Sequence, residues 1–138
     1  MLIEKDACND SALFEIYKSA YMQPSQDDDG HVKLVVDGIH LSARALPDRP
    51  YFALSTVFGV KSEAARLQCL ELCNRLNDHM IMIRFCVPEA ADEQCIYVDH
   101  FTVTEGGITG EEIVAVTHRF AKVIRDGFSK YDTDDIIN

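Results

Sequence analysis

The first stretch with a clear period holds Leu13, Ile16, Tyr17, Ala20 and Tyr21, spaced i, i+3, i+4, i+7, i+8. That spacing lines one stripe of an α-helix. It predicts a helix over residues 11–22, capped by Asn9 or Asp10 and ended by Pro24. Residues 25–30 read as a polar turn, after which the period drops to two. Residues 31–36 and 39–45 are predicted strands on either side of Asp37-Gly38, a two-residue hairpin signal because both central positions need φ > 0. Ile39, Leu41, Ala43 and Ala45 alternate with His40, Ser42 and Arg44, so one face is buried and one is wet. A Pro-Asp-Arg-Pro turn over residues 47–50 leads to a third strand over 51–58, rich in aromatic and β-branched residues and stopped by Gly59.

Residues 62–87 read as the spine of the chain: a helix, a tight polar turn and an apolar strand. The helix is expected to start near Ser62 and to bury Ala65, Cys69, Leu72, Cys73 and Leu76. Leu67 and Leu70 lie roughly 120–180° from the centre of that stripe, among Glu63 and Asn74. They are either a second contact surface or ordinary scattered surface leucines. Asn77-Asp78 is read as the turn, and residues 80–87 as strand four. Its two rows are Ile81, Ile83, Phe85 and Val87, taken as the core row, and Met80, Met82, Arg84 and Cys86.

A loop over 88–93 leads to strand five, residues 94–102, with Ile96 and Val98 on one face and Cys95, Tyr97 and Phe101 on the other. Thr109-Gly110-Glu111-Glu112 is a capping box, in which the Thr109 hydroxyl and the Glu112 carboxylate each satisfy a free N–H. Ile108 and Ile113 add a hydrophobic staple. Ile113, Val116, Phe120, Ile124, Phe128 and Tyr131 then track one face of a last helix, and the acidic tail 132–138 is expected to fray. The predicted order is α-β-β-β-α-β-β-α. It implies an α+β fold, a five-stranded antiparallel sheet with helices packed on it, in one domain over residues 1–138 with its core at about 10–131.

Charge narrows the partners. The 138 residues carry 13 Lys and Arg against 23 Asp and Glu, a formal net charge of -10. Non-specific nucleic-acid binding needs a basic surface, so nucleic acid and anionic membranes are not expected partners. The charge either keeps a small protein soluble or steers it toward a basic partner. No apolar run approaches the ~20 residues that span a bilayer. The opening MLIEKDACND has no basic region followed by an apolar core, so no secretory signal is expected and the location is read as cytoplasmic.

Candidate chemistry is sparse. Cys69 and Cys73 share a helix face, and Cys86 and Cys95 lie on strands, but no CxxC spacing repeats. A thiolate zinc site would need Cys86 turned toward the helix, whereas the Ile81/Ile83 row is the better core row; buried thiols are the simpler reading. The five histidines form no HxxxH or HExxH pattern, and Asp99 and His100, adjacent on a strand, point to opposite faces. Asp27-Asp28-Asp29-Gly30 fails as a calcium loop, because Val36 stands where a bidentate glutamate is required. Gly106-Gly107 precedes a helix whose positive end Glu111 and Glu112 already occupy, so the glycines read as a loop needing unusual backbone angles. No cofactor or metal is expected.

Three segments carry a family resemblance: DGIHLSARALPDRPYFAL, the helix ending in LCNRLND before an apolar strand, and GGITGEEI at the start of the last helix. In this order they resemble the YbjN family of bacterial proteins over about residues 10–131. The resemblance implies the type III secretion chaperone fold and a sensory-transduction type of regulator. It supplies no catalytic residue set. Two functional readings follow. The first is a non-enzymatic, homodimeric, protein-binding module, chaperone-like or regulatory, whose contacts would use Leu67, Leu70, Met80, Met82, Tyr97 and Phe101. The second is a small ligand-binding or thiol-dependent enzyme using Cys69, Cys73 or Cys86.

Overall fold

The computed structural model describes residues 2–46, 48–89 and 91–138; Pro47 of the expected turn and Ala90 of the expected loop lie outside them. In chain order the elements are β1 (Leu2–Ile3), a 3-10 turn (Lys5–Ala7), α1 (Asp10–Ser19), β2 (Ser25–Gln26) and β3 (Val32–Val36). Then come β4 (Ile39–Leu46), β5 (Tyr51–Gly59), α2 (Arg66–His79), β6 (Arg84–Cys86), β7 (Cys95–Val103), β8 (Ile108–Thr109) and α3 (Gly110–Tyr131). The main sheet is antiparallel and six-stranded, in the order β2-β3-β4-β5-β7-β6, rather than five-stranded. The extra member, β2, pairs Ser25 with Lys33 and Gln26 with Val32. A separate ribbon pairs β1 with β8. Two-residue strands contain no full period, so the alternation rule could not find them.

Each expected helix exists, with shifted ends. Asn9 caps α1, accepting from the Ala12 N–H at 2.9 Å. The helix stops at Ser19, not at Pro24, because Tyr21 adopts a left-handed φ of 58° and lies almost fully exposed. Ser62 does not cap α2; residues 61–64 form a turn, and the Ala65 N–H donates to Gln68 Oε1 at 2.8 Å. Asn77 and Asp78 lie inside α2, not in a turn. Strand four is correspondingly short. Met82, with φ of 74°, breaks the extended chain, so β6 begins only at Arg84. Ile81 is 75% exposed and leaves the core row, while Ile83 and Phe85 keep it. The Asp37-Gly38 turn is as expected, with φ of 52° and 79°. Gly59 is the last residue of β5 rather than the stop just after it. Gly107, with φ of 86°, is the glycine the last loop requires: a Cβ there would stand 2.8 Å from Leu2 Cγ.

The α3 capping box forms in both directions, with Glu112 N–H to Thr109 Oγ1 at 3.1 Å and Thr109 N–H to Glu112 Oε2 at 2.9 Å. The tail does not fray. Asp132 accepts from the N–H groups of Ile136 and Ile137, Ile136 is buried, and its carbonyl accepts from the Lys61 N–H at 2.8 Å. Two apolar residues among the acids anchor it. No helix among the described residues is long and apolar enough to cross a membrane.

One continuous core joins these elements. α1 and α3 cover one sheet face, where Phe128 meets Phe58 and Phe85 edge-on at 4.8 and 5.9 Å. α2 runs against α3 and along the β6 edge. Among the described residues the opposite sheet face carries no helix, and most of its side chains are exposed or half-buried.

Candidate protein-binding surface

The strand register builds the open face row by row. One row is polar across the sheet: Lys33 faces Ser42, Ser42 faces Ser55, Ser55 faces Asp99, and Asp99 faces Arg84. On one side of it Val35 faces His40, and Val57 faces Tyr97, which faces Cys86. On the other side Arg44 faces Ala53, which faces Phe101, and beyond them Leu46, Tyr51 and Val103 line up. Val35, Val57, Phe101 and Val103 are 55%, 58%, 46% and 59% exposed. The Tyr51 and Phe101 rings meet edge-on at 6.3 Å. At the β3–β4–β5 end the face dips into a concavity of about 500 Å³, lined among others by Lys33, His40, Ser55 and Val57.

Its electrostatics are unusual for so acidic a chain. Among the described residues, the register puts Lys33, Arg44 and Arg84 on this face with the carboxylate of Asp99, and Asp27 at the sheet edge beside Lys33. Asp99 is 2% exposed and held by Arg84 through Nε at 2.9 Å and Nη2 at 2.6 Å. That bidentate pair keeps a buried charge satisfied. Lys33 stands 3.5 Å from Asp27 at the sheet edge. Arg44 is exposed and has no ion-pair partner among the described residues.

The six expected contact residues do not form one surface. Tyr97 and Phe101 lie on the open face. Met82 and Phe101 share a shallow cleft of about 440 Å³ with Arg84, Asp99 and His100, and the His100 ring bonds to the Met82 carbonyl. Met80 is elsewhere: it caps the end of α2, half-buried beside Gly127 of α3. The strand row that would have put Met80 beside Met82 is absent because β6 starts late. Leu67 and Leu70 are exposed on α2, away from the core. The apolar half of the site missed from sequence is Val35, Val57 and Val103, which alternation alone would place on a wet face.

The thiols divide by burial. Burial pushes the Cys73 thiol up to about 12 and also raises Cys8 and Cys69. Cys86 and Cys95 are half-buried. Raised thiol values leave little thiolate for attack or metal binding at neutral pH. Among the described residues, the group able to converge on a metal is Asp27, Asp29 and His31. There Asp27 Oδ1 already accepts from the N–H groups of Asp29 and His31, and its other oxygen faces Lys33.

A helix-backed antiparallel sheet of this kind is the architecture of the type III secretion chaperones. The chain is similar to the HopA1–SchA chaperone–effector complex, with a TM-score of 0.58, 11% identity and coverage of 89% of this chain and 92% of that one. It is similar as well to the Yersinia pestis type III secretion chaperone SycH in complex with a stable fragment of YscM2, with a TM-score of 0.52, 12% identity and coverage of 84% and 97%. Similarity to the crystal structure of YbjN, "a putative transcription regulator from E. coli", is greater, with a TM-score of 0.78, 12% identity and 94% of both chains covered. Residues 9–131 match the YbjN family model, described as "putative bacterial sensory transduction regulator", and the chain belongs to that family. No curated protein matches the chain in sequence.

Proposed function

We propose that this chain is a non-enzymatic protein-binding module of the regulatory, chaperone-like kind, acting in the cytoplasm as a homodimer. The observation that carries this reading is the open sheet face, whose exposed valines and Phe101 are covered by no element among the described residues. Exposed apolar area of this kind marks contact surfaces in water-soluble proteins. The structural neighbours SycH and SchA occur in complexes with protein partners, which supports the same use here. The exposed Leu67 and Leu70 of α2 supply the pairing surface between copies. Residues 1–138 act as one domain in this reading.

Two measurements test it. Light scattering coupled to size-exclusion chromatography should give twice the 15.5 kDa chain mass, and Leu67→Glu should return the monomer. In-cell crosslinking followed by capture of the tagged chain should recover a specific protein. A monomer at all concentrations together with an empty capture would overturn the proposal.

A further inference from the structure

We infer that the open sheet face takes an acidic, apolar-bearing segment of a partner protein, with Arg44 as its charge anchor. This rests on the protein-binding reading above and names the partner's chemistry. The net charge of -10 opposes a carboxylate-rich segment over the chain as a whole, so such a segment needs a local excess of cations to dock. On the open face the cations Lys33, Arg44 and Arg84 outnumber the carboxylates paired with them. Asp99 is buried under Arg84 and Asp27 faces Lys33 at the sheet edge, while Arg44 stands without an ion-pair partner among the described residues, separated from the exposed Phe101 by Ala53.

Apolar contacts flank that cation. Tyr51, Phe101 and Val103 lie on one side of the serine row, and Val35 and Val57 lie beside His40 on the other. A segment mixing carboxylates with apolar side chains meets both kinds of group at once. A second copy docked isologously on this face would instead bring two sets of the same cations, Arg44 and Lys33, into one interface, a like-charge juxtaposition. A nucleic-acid strand would find too few cations against the acidic remainder.

Fluorescence anisotropy with three labelled probes tests this on the full chain: a short peptide of alternating glutamate and leucine, its lysine-for-glutamate counterpart, and oligothymidylate. The glutamate peptide should bind saturably and weaken with added salt. Combining Arg44→Glu with Val57→Asp should weaken it at least about tenfold. Arg44→Glu alone should gain binding of the lysine peptide, a rescue that a misfolded variant could not show. Tighter binding of the lysine peptide or of oligothymidylate by the wild type, or no change in Arg44→Glu, overturns the inference. So does a concentration-dependent dimer abolished by Val57→Asp, which would assign this face to a second copy. If the crosslinked protein partner is still captured by the double variant, this face is wrong and the protein-binding reading stands. If neither peptide nor partner binds the wild type, this inference falls, and the protein-binding reading falls with it where the chain is also a monomer.

Discussion

The Asn77 carboxamide pairs with the backbone of Phe85 at both ends: Oδ1 accepts from the Phe85 N–H at 3.0 Å, and Nδ2 donates to the Phe85 carbonyl at 2.8 Å. Phe85 is the middle residue of β6, the edge strand, and its ring is buried in the core. A helix side chain thus imitates a neighbouring strand and closes the edge against other chains. Asn77→Ala leaves two part-buried backbone groups unpaired, which costs about 1–3 kcal/mol. Urea unfolding should show that loss, and the Phe85 amide should exchange faster. Asn77→Asp keeps the acceptor but sets a carboxylate against a carbonyl, so it should rescue less than half of the loss.

Arg84 and Asp99 hold β6 from its other side. The arginine is largely exposed and the aspartate is not, so the two halves are not equivalent. Arg84→Met strands a buried carboxylate and should cost about 2–3 kcal/mol. Asp99→Asn leaves an exposed cation and a neutral amide, and should cost less. A double-mutant cycle by chemical denaturation measures the coupling; equal single-mutant losses would contradict the burial difference.

Elements with a full period were legible in the sequence. The α3 capping box and the Asp37-Gly38 hairpin needed only local rules, and each is where those rules put it. The α2 stripe is buried at Cys69, Leu72, Cys73 and Leu76, but Ala65, expected in it, precedes the first helical turn and is exposed. What failed was decided at single backbone positions or across long separations. Tyr21 and Met82 take left-handed angles that their residue types do not signal. The acids of the tail predict fraying, but Ile136 and its bond to Lys61 govern it. The open face was half legible. Phe101 and Tyr97 stood out by size, while Arg44 gains meaning only from neighbours on other strands.

Thiol accessibility separates the two functional readings made from sequence. Cys8, Cys69 and Cys73 are buried, and burial raises all three. Mild iodoacetamide treatment at neutral pH should therefore label Cys86 and Cys95 first and leave the other three unmodified until denaturant is added. Peptide mass mapping locates the label. Rapid labelling of Cys69 or Cys73 in the folded protein would revive a thiol-dependent activity.

Tyr17 on α1 and Thr117 on α3 join the two helices inside the core, their oxygens 2.8 Å apart. Thr117 gives its one proton to the Ile113 carbonyl at 2.7 Å, so the Tyr17 hydroxyl is the donor between them. Tyr17→Phe removes that bond and should cost about 1 kcal/mol, while Thr117 keeps its carbonyl partner. The same burial sets an alkaline limit. It raises the Tyr17 phenol above its ordinary value of 10.0, and it raises Cys73 from 9.0 to about 12. Both groups are neutral when protonated, and the fold favours that form. Their contribution is fully present below the ordinary values and is lost as pH rises toward the folded ones. Unfolding free energy should hold steady through neutral pH and fall as pH climbs from about 9 to about 12. Cys73→Ala should flatten the start of that fall, and Tyr17→Phe its continuation. A curve unchanged in both variants would show that other groups set the alkaline limit.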